Sequence, residues 1–338
     1  MSKSSFLFDD VTLEVKMILL TGATGFVGKA ILKRLMQQPE LTIRTYGRHI
    51  PVILSVENVC AVSHVIGEIN RTVDYTPAIS DVDVVIHCAA QAHVMDKSVN
   101  NTANIYTDIN VDGALNLARH AAAAGVRRFI FVSSIKVNGE STATGSPFKY
   151  TDKAMPEDLY GISKAEAEDG LWQISKETGM EIVIIRPPLV YGPGVKANFS
   201  SMMRLVSKTL PLPLGAIKNK RSMVALDNLV DLIVTCVGHP KAANQIFLVS
   251  DDQDVSTTEL LQKMAHAFEK KTRLIPIPMS WIKWVATLLG KKAVADRLCG
   301  SLQVDITHTK ETLGWRPPVT MEQQLAKIAA SMSLPRDV

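Results

Sequence analysis

The sequence predicts an α/β protein, a doubly wound parallel sheet with a smaller C-terminal α+β lobe. Two observations carry this. In the first half, short runs rich in Val and Ile alternate with helical stretches. Those runs are near-continuous in apolar residues, as expected of strands buried on both faces by helices. After Arg186-Pro187-Pro188 the pattern loosens, Pro and Gly accumulate, and helices predominate to the end.

In order, "MILLTG" (17–22) predicts a first strand, followed by a helix with Ile31, Leu32 and Leu35 inward. "LTIRTY" (41–46), "VCAVSHVIG" (59–67) and "VDVVIHCAA" (82–90) predict three more strands. A long helix is expected over 101–124, a fifth strand at "RRFIFVSS" (127–134), a second long helix around 156–178, and a sixth strand at "EIVIIRP" (181–187). The main domain is therefore expected over 17–188 and the smaller lobe over 189–338. Part of 221–250 ("NQIFLVS", 244–250) is expected to return to the main sheet. Ser256-x-x-Glu259 and Thr320-x-x-Gln323 have capping-box spacing and should open helices. "SWIKWVATLLG" has one apolar helical face, expected to pack in the core of the small lobe, with a helix lying at a membrane interface the alternative.

Composition narrows the function. The 338 residues are 46% hydrophobic and 21% charged, ordinary for a globular enzyme. A net charge of +4 without a long basic run gives no support to nucleic-acid binding. Cys60, Cys88, Cys236 and Cys299 are scattered with no Cys-x-x-Cys pair, which argues against a zinc site or disulfide framework and fits a cytoplasmic location. No apolar run reaches the ~18–20 residues of a membrane span. Residues 1–16 read as a polar extension rather than a secretory signal, with Met17 an alternative start.

Between the first strand and its helix, "TGATGFVGKA" places Gly22, Gly25 and Gly28 at Gly-x-x-Gly-x-x-Gly spacing. Glycines let the backbone turn tightly and approach a pyrophosphate, while the N–H groups of the helix start, at Phe26 and Val27, face its charge. A ribose 2′-hydroxyl wants a carboxylate near the end of the second strand. Thr45-Tyr46-Gly47-Arg48-His49 offers none, and Arg48 would instead fork onto a 2′-phosphate, favouring NADP(H) over NAD(H). Glu68 and Ile69 are expected to flank the adenine. The small Ala89 and Ala90 would admit the cofactor, and His87 reads as a hydrogen-bonded core histidine.

In "LYGISKAE", Tyr160 and Lys164 lie four residues apart on a helix and share a face. A tyrosine near its reference pKa of ~10 is a poor base at neutral pH, and a fixed ammonium beside it would favour the phenolate. The glycine loop, "HCAA", "FVSS", Tyr-x-x-x-Lys and "RPPLVYGPG", in this order, resemble the extended short-chain dehydrogenase/reductase family, also called the NAD-dependent epimerase/dehydratase family. The resemblance runs from about residue 17 to "LGWRPPV".

It implies a Rossmann-type domain, a nucleotide-sugar lobe and a homodimer built on the two long helices. It also implies Ser134, Tyr160 and Lys164 as catalytic residues, with Lys164 and Pro187 touching the cofactor. Asn110 would be structural or part of a proton relay. A UDP-sugar would meet Ser134, Lys136, Tyr160, Asn198, Arg221 and Arg297, and "LPLPLG" (210–215) would shape its uracil pocket.

Three reactions share this scaffold. Family dehydratases have Asp-Glu after the Ser/Thr, whereas Ile135-Lys136 follows Ser134, so dehydration is disfavoured. "SSIKVNGE", with Lys136 and Asn138, is similar to reductases of UDP-4-keto-6-deoxy-N-acetylhexosamines that serve surface polysaccharide synthesis. The expected reaction is therefore NAD(P)H-dependent 4-ketone reduction, with NAD-dependent 4-epimerisation the alternative. A dinucleotide-sensing regulator is disfavoured by the retained Tyr/Lys/Ser set.

Overall fold

In the computed structural model, the described residues are 14–52, 60–92, 99–195 and 197–333. Seven parallel strands form the main sheet. In chain order they are β1 (Met17–Thr21), β2 (Thr42–Gly47), β3 (Ala61–Ile66), β4 (Val84–His87), β5 (Arg128–Val132), β6 (Glu181–Arg186) and β9 (Gln245–Leu248), and across the sheet they run β3-β2-β1-β4-β5-β6-β9. Register is set by pairs such as Ile18 with both Ile43 and Val84. The order reverses between β1 and β4, which opens a crevice at their C-terminal ends.

Neighbouring strand residues feed opposite cores because side chains alternate across a sheet. Ile18 and Leu20 join one core with Ile31, Leu32 and Leu35 of α1 (Phe26–Leu35) and Ile233 of α7 (Leu226–Gly238). Leu19, Val85, Phe129 and Phe131 join the other, with Leu117 of α4 (Ala114–Ala123) and Leu171 of α5 (Leu159–Thr178). Each such burial contributes on the order of 1.5–3 kcal/mol. A short α2 (Thr76–Ile79) leads into β4.

The helix expected over 101–124 is divided. After α3 (Val99–Tyr106), residues Thr107–Gly113 form a π-helical segment before α4 begins. Such bulges recur at functional sites, and this one carries Asn110. Residues 1–13 of the expected extension, and residue 59 of the expected third strand, lie outside the described residues.

The second lobe has its own core of Tyr191, Phe199, Met203, Leu261, Met264 and Leu325. It is built from β7 (Leu189–Tyr191) paired in parallel with β8 (Met223–Ala225), α6 (Ala197–Ser207) and α8 (Thr257–Ala267). It continues through α9 (Met279–Leu288), α10 (Lys292–Cys299) and α12 (Met321–Ser333), whereas α11 (Thr307–Leu313) returns to pack on β9, Leu313 joining the main core and Thr309 donating to the Leu248 carbonyl. Both expected caps form: Ser256 and Glu259 bond each other's backbone N–H, as do Thr320 and Gln323.

One expectation fails. The apolar face of α9 does not pack in the small-lobe core: no α9 residue is buried, and Trp281 and Trp284 are 64% and 62% exposed. Helical periodicity identifies an apolar face without saying what covers it.

Candidate active site

The glycine loop is shaped by contacts too close for any other residue. Gly22 has φ +71°, and a Cβ there would lie 2.7 Å from the Ala89 nitrogen. A Cβ on Gly28 would lie 2.1 Å from the Gly22 carbonyl oxygen. The loop turns through a Gly25 N–H to Gly22 carbonyl bond of 2.9 Å. Gly25 is the N-cap of α1, and no side chain caps that helix start. Amides at Phe26, Val27 and Gly28 thus face the crevice beside Ala89 and Ala90, a cradle that fits a pyrophosphate. Arg48, exposed, follows β2, and Glu68 and Ile69 follow β3 at the same edge of the sheet. Tyr46 donates to the Glu68 carbonyl at 2.9 Å, tying those two strand ends together.

The chemical end is assembled where β5 and β6 leave the sheet. Ser133 N–H donates to the Ile185 carbonyl at 2.8 Å, and Ile135 N–H to the Pro187 carbonyl at 3.0 Å. Ser134 caps a short 3₁₀ turn, Ile135–Val137, its hydroxyl accepting from the Lys136 N–H at 3.3 Å. The first turn of α5 packs against that loop: a Cβ on Gly161 would lie 2.8 Å from the Lys136 carbonyl oxygen. Tyr160 is thereby set beside the Ser134 loop.

One turn on, Lys164 is 1% exposed, donates to the Val132 carbonyl at 2.9 Å and lies 4.2 Å from the Phe131 ring centroid. Burial depresses its pKa to about 8, partly opposed by Cys88 and Glu168. Burial pushes Tyr160 up to about 12, with Asp158 and Tyr106 adding to the rise. In the chain alone the phenol is therefore not drawn toward neutral pH, because burial is the largest influence on it and Asp158 and Tyr106 act in the same direction.

Asn110 ties three pieces of the site. Its carbonyl accepts from the Gln91 N–H at 2.8 Å, and its amide donates to the Gln91 carbonyl at 3.1 Å and to Ser163 Oγ at 3.0 Å. Ser163 in turn donates to the Tyr160 carbonyl. With both ends of its amide committed, Asn110 is a strut between β4 and α5. His87 is the expected core histidine: its Nδ1 pairs with Thr21 Oγ1 at 2.8 Å, its ring stacks on Phe131, and burial lowers its pKa to about 3.

Lys136 does not present a free ammonium to a substrate. It is ion-paired with Asp158 and, at 2.7 Å, with Glu140, two carboxylates that the sequence reading did not connect to it. Asp158 is also the N-cap of α5, accepting from the Gly161 N–H at 2.7 Å. Asn138, 3% exposed, is fixed by Lys149 and Arg186. Also missed were Ser133, Glu168 and Arg186, a buried network under the site in which Ser133 Oγ and the Arg186 guanidinium both donate to the Glu168 carboxylate. Its one sequence signal was the placement of Glu168 four residues after Lys164.

In the second lobe, Arg221 donates through Nη1 to the carbonyls of Arg297 (2.7 Å) and Gly300 (3.2 Å), which brings it to the exposed Arg297. Residues 210–215 pair with 273–275. Asn198 lies in α6, with its side chain outside the described residues. All four cysteines are unpaired, and among the described residues no metal-binding cluster forms and no helix is long and apolar enough to cross a membrane.

Residues 18–250 match the family model described as NAD dependent epimerase/dehydratase family. The chain belongs to that family. Over 315 residues it is 51% identical to a UDP-glucose 4-epimerase of Vibrio cholerae, covering 93% of this chain and 94% of the relative. A 4-epimerase of N-acetyl-alpha-D-glucosaminyl-diphospho-undecaprenol from Escherichia coli O157:H7 is 26% identical, covering 91% and 92%. The fold matches that of a UDP-glucuronic acid 4-epimerase from Bacillus cereus crystallised with NAD, with TM-score 0.75, 18% identity and coverage of 94% and 98%.

Membership makes the chain an enzyme of the epimerase/dehydratase class. The first of these relatives overturns the expected 4-ketone reductase. Lys136 and Asn138, which suggested a reductase, are occupied in holding the loop and do not report the reaction.

Proposed function

We propose that this enzyme interconverts the C4 epimers of a UDP-linked hexose, holding its NAD through the cycle. The observation that carries this reading is the 51% identity, over nearly the whole chain, to a UDP-glucose 4-epimerase. The site chemistry agrees with it. The sugar 4-hydroxyl would sit between Ser134 and Tyr160, with Ser134 donating a hydrogen bond to its oxygen and Tyr160 taking its proton. Bound nicotinamide supplies the hydride acceptor and a positive charge near the phenol.

Breaking C4–H and O–H leaves a 4-ketone. Return of hydride to the opposite face, with the proton returned by Tyr160, gives the epimer. No net oxidation occurs, so no reductant is consumed; NAD is favoured over NADP because the matched folds were solved with NAD. The ketone must turn over while the diphosphate stays anchored; Arg221, Arg297 and Asn198 are the proposed anchors. Pro187, Ala89, Ala90, Glu68, Ile69 and the glycine loop would line the cofactor.

Purified enzyme given UDP-glucose and no added cofactor should produce UDP-galactose. Absence of conversion of UDP-glucose, UDP-N-acetylglucosamine and UDP-glucuronic acid, with or without added NAD, would overturn the proposal.

A further inference from the structure

Helix α9 carries an apolar stripe that no described residue covers. Trp281, Trp284, Val285 and Leu288 fall at i, i+3, i+4 and i+7, on one helix face. Val285 and Leu288 are 43% and 68% exposed, and Leu289 and Val294 extend the stripe toward α10 at 67% and 50%. The inward face, Met279, Ile282 and Ala286, is only half-buried, and α9 packs on α10. Soluble surfaces scatter single apolar residues, whereas a contiguous stripe with two tryptophans marks an interaction face.

The surroundings of the stripe are basic. Between residues 269 and 297 there are seven Lys or Arg against two acids, Glu269 and Asp296, in a chain whose totals are 37 and 33. Lys291 and Lys292 follow the stripe at the turn into α10, both exposed, whereas Lys283 falls on the opposite side of α9. A short helix with an apolar face bearing Trp and Leu, flanked by lysines, has the chemistry of an element lying in the headgroup region of an anionic bilayer. A two-fold contact with a second copy would set this basic collar against itself. At ten residues the helix cannot span a bilayer.

We propose that the α9–α10 hairpin docks this enzyme on an anionic membrane surface, with Trp281, Trp284, Leu288 and Leu289 inserted at headgroup depth and Lys291 and Lys292 over the lipid charge. The hairpin belongs to the second lobe: α10 and its C-cap Gly300 supply the carbonyls that hold Arg221, and the chain entering α9 pairs with residues 210–215. Docking therefore sets that lobe against the bilayer.

The test is co-sedimentation of the full chain with vesicles of phosphatidylethanolamine and phosphatidylglycerol, against phosphatidylcholine alone. Binding to the anionic vesicles, weakened by high salt, is expected. It should fall at least ~10-fold in Trp281→Ser/Trp284→Ser, with Lys291→Glu/Lys292→Glu losing the salt-sensitive part. Both variants alter exposed side chains, so an unchanged melting temperature is expected and separates lost docking from lost folding. No binding to anionic vesicles overturns the proposal, as does equal binding by the tryptophan variant. A wild-type dimer in solution that Trp281→Ser/Trp284→Ser converts to monomer also overturns it, because the stripe is then a contact between copies.

Discussion

Glu168 and Arg186 form a buried ion pair beneath the loop that carries Ser134. They are 2% and 5% exposed, and the guanidinium meets both carboxylate oxygens through Nε and Nη2. Ser133 donates to the same carboxylate, and Arg186 reaches Asn138, so the pair grips the loop on both sides of Ser134. Removing one member leaves an uncompensated buried charge. Glu168→Leu should cost roughly 3–5 kcal/mol, read as a lower denaturant midpoint. Glu168→Leu/Arg186→Met should regain most of that stability while kcat stays depressed, because the loop has lost its anchor. Full recovery of kcat in the double variant would show that the pair does not position Ser134.

Lys164 places a charge where folding disfavours it. Its native pKa of about 8 lies below the ordinary 10.5, so between those values the native state binds fewer protons than the unfolded state. Stability from this group is therefore present above about 10.5 and lost as pH falls through about 8. Lys164→Met should be inactive yet more stable than wild type at neutral pH, by about 1–2 kcal/mol. That advantage should shrink as pH rises from 8 to 10.5, as thermal melts across the range would show.

The glycine loop gives a paired test. Gly28→Ala places a methyl 2.1 Å from a backbone oxygen, whereas Gly47→Ala meets nothing within 4 Å. Gly28→Ala should emerge from purification without dinucleotide, and Gly47→Ala with its full complement, as released by denaturation and identified by mass. Recovery of NADP rather than NAD would reinstate the role first read into Arg48.

Tyr160→Phe should lower kcat by ~10²–10⁴-fold, the range for a positioned proton donor and acceptor. Nucleotide-sugar affinity, measured calorimetrically, should change little, because the ring and its packing against Tyr106 remain.

The parallel sheet was legible because strands buried on both faces leave unbroken apolar runs. The misjudged strand ends are themselves informative. The run at 82–90 stops pairing at His87, and the run at 127–134 stops at Val132, so Cys88–Ala90 and Ser133–Ser134 peel away to build the crevice. Small residues, Cys88-Ala89-Ala90 and Ser133-Ser134, continue past the ladder there, and sequence alone cannot tell a strand from its exit. The π-helical register around Asn110 leaves no mark in apolar periodicity. Asp158 was missed as a partner of Lys136 because it is 22 residues away and is met only when α5 docks on the loop, whereas Glu140 lies just four residues on, within reach of the sequence. The choice between reductase and epimerase was not legible in "SSIKVNGE", whose polar residues hold the loop in place.

The central claim is that one hydride leaves C4 and returns to it. UDP-glucose carrying deuterium at C4, incubated with the enzyme in ordinary water without added cofactor, measures this directly. UDP-galactose that retains the deuterium at C4 is the result predicted; loss of the label to solvent, or conversion only when cofactor is supplied in stoichiometric excess and consumed, would contradict it.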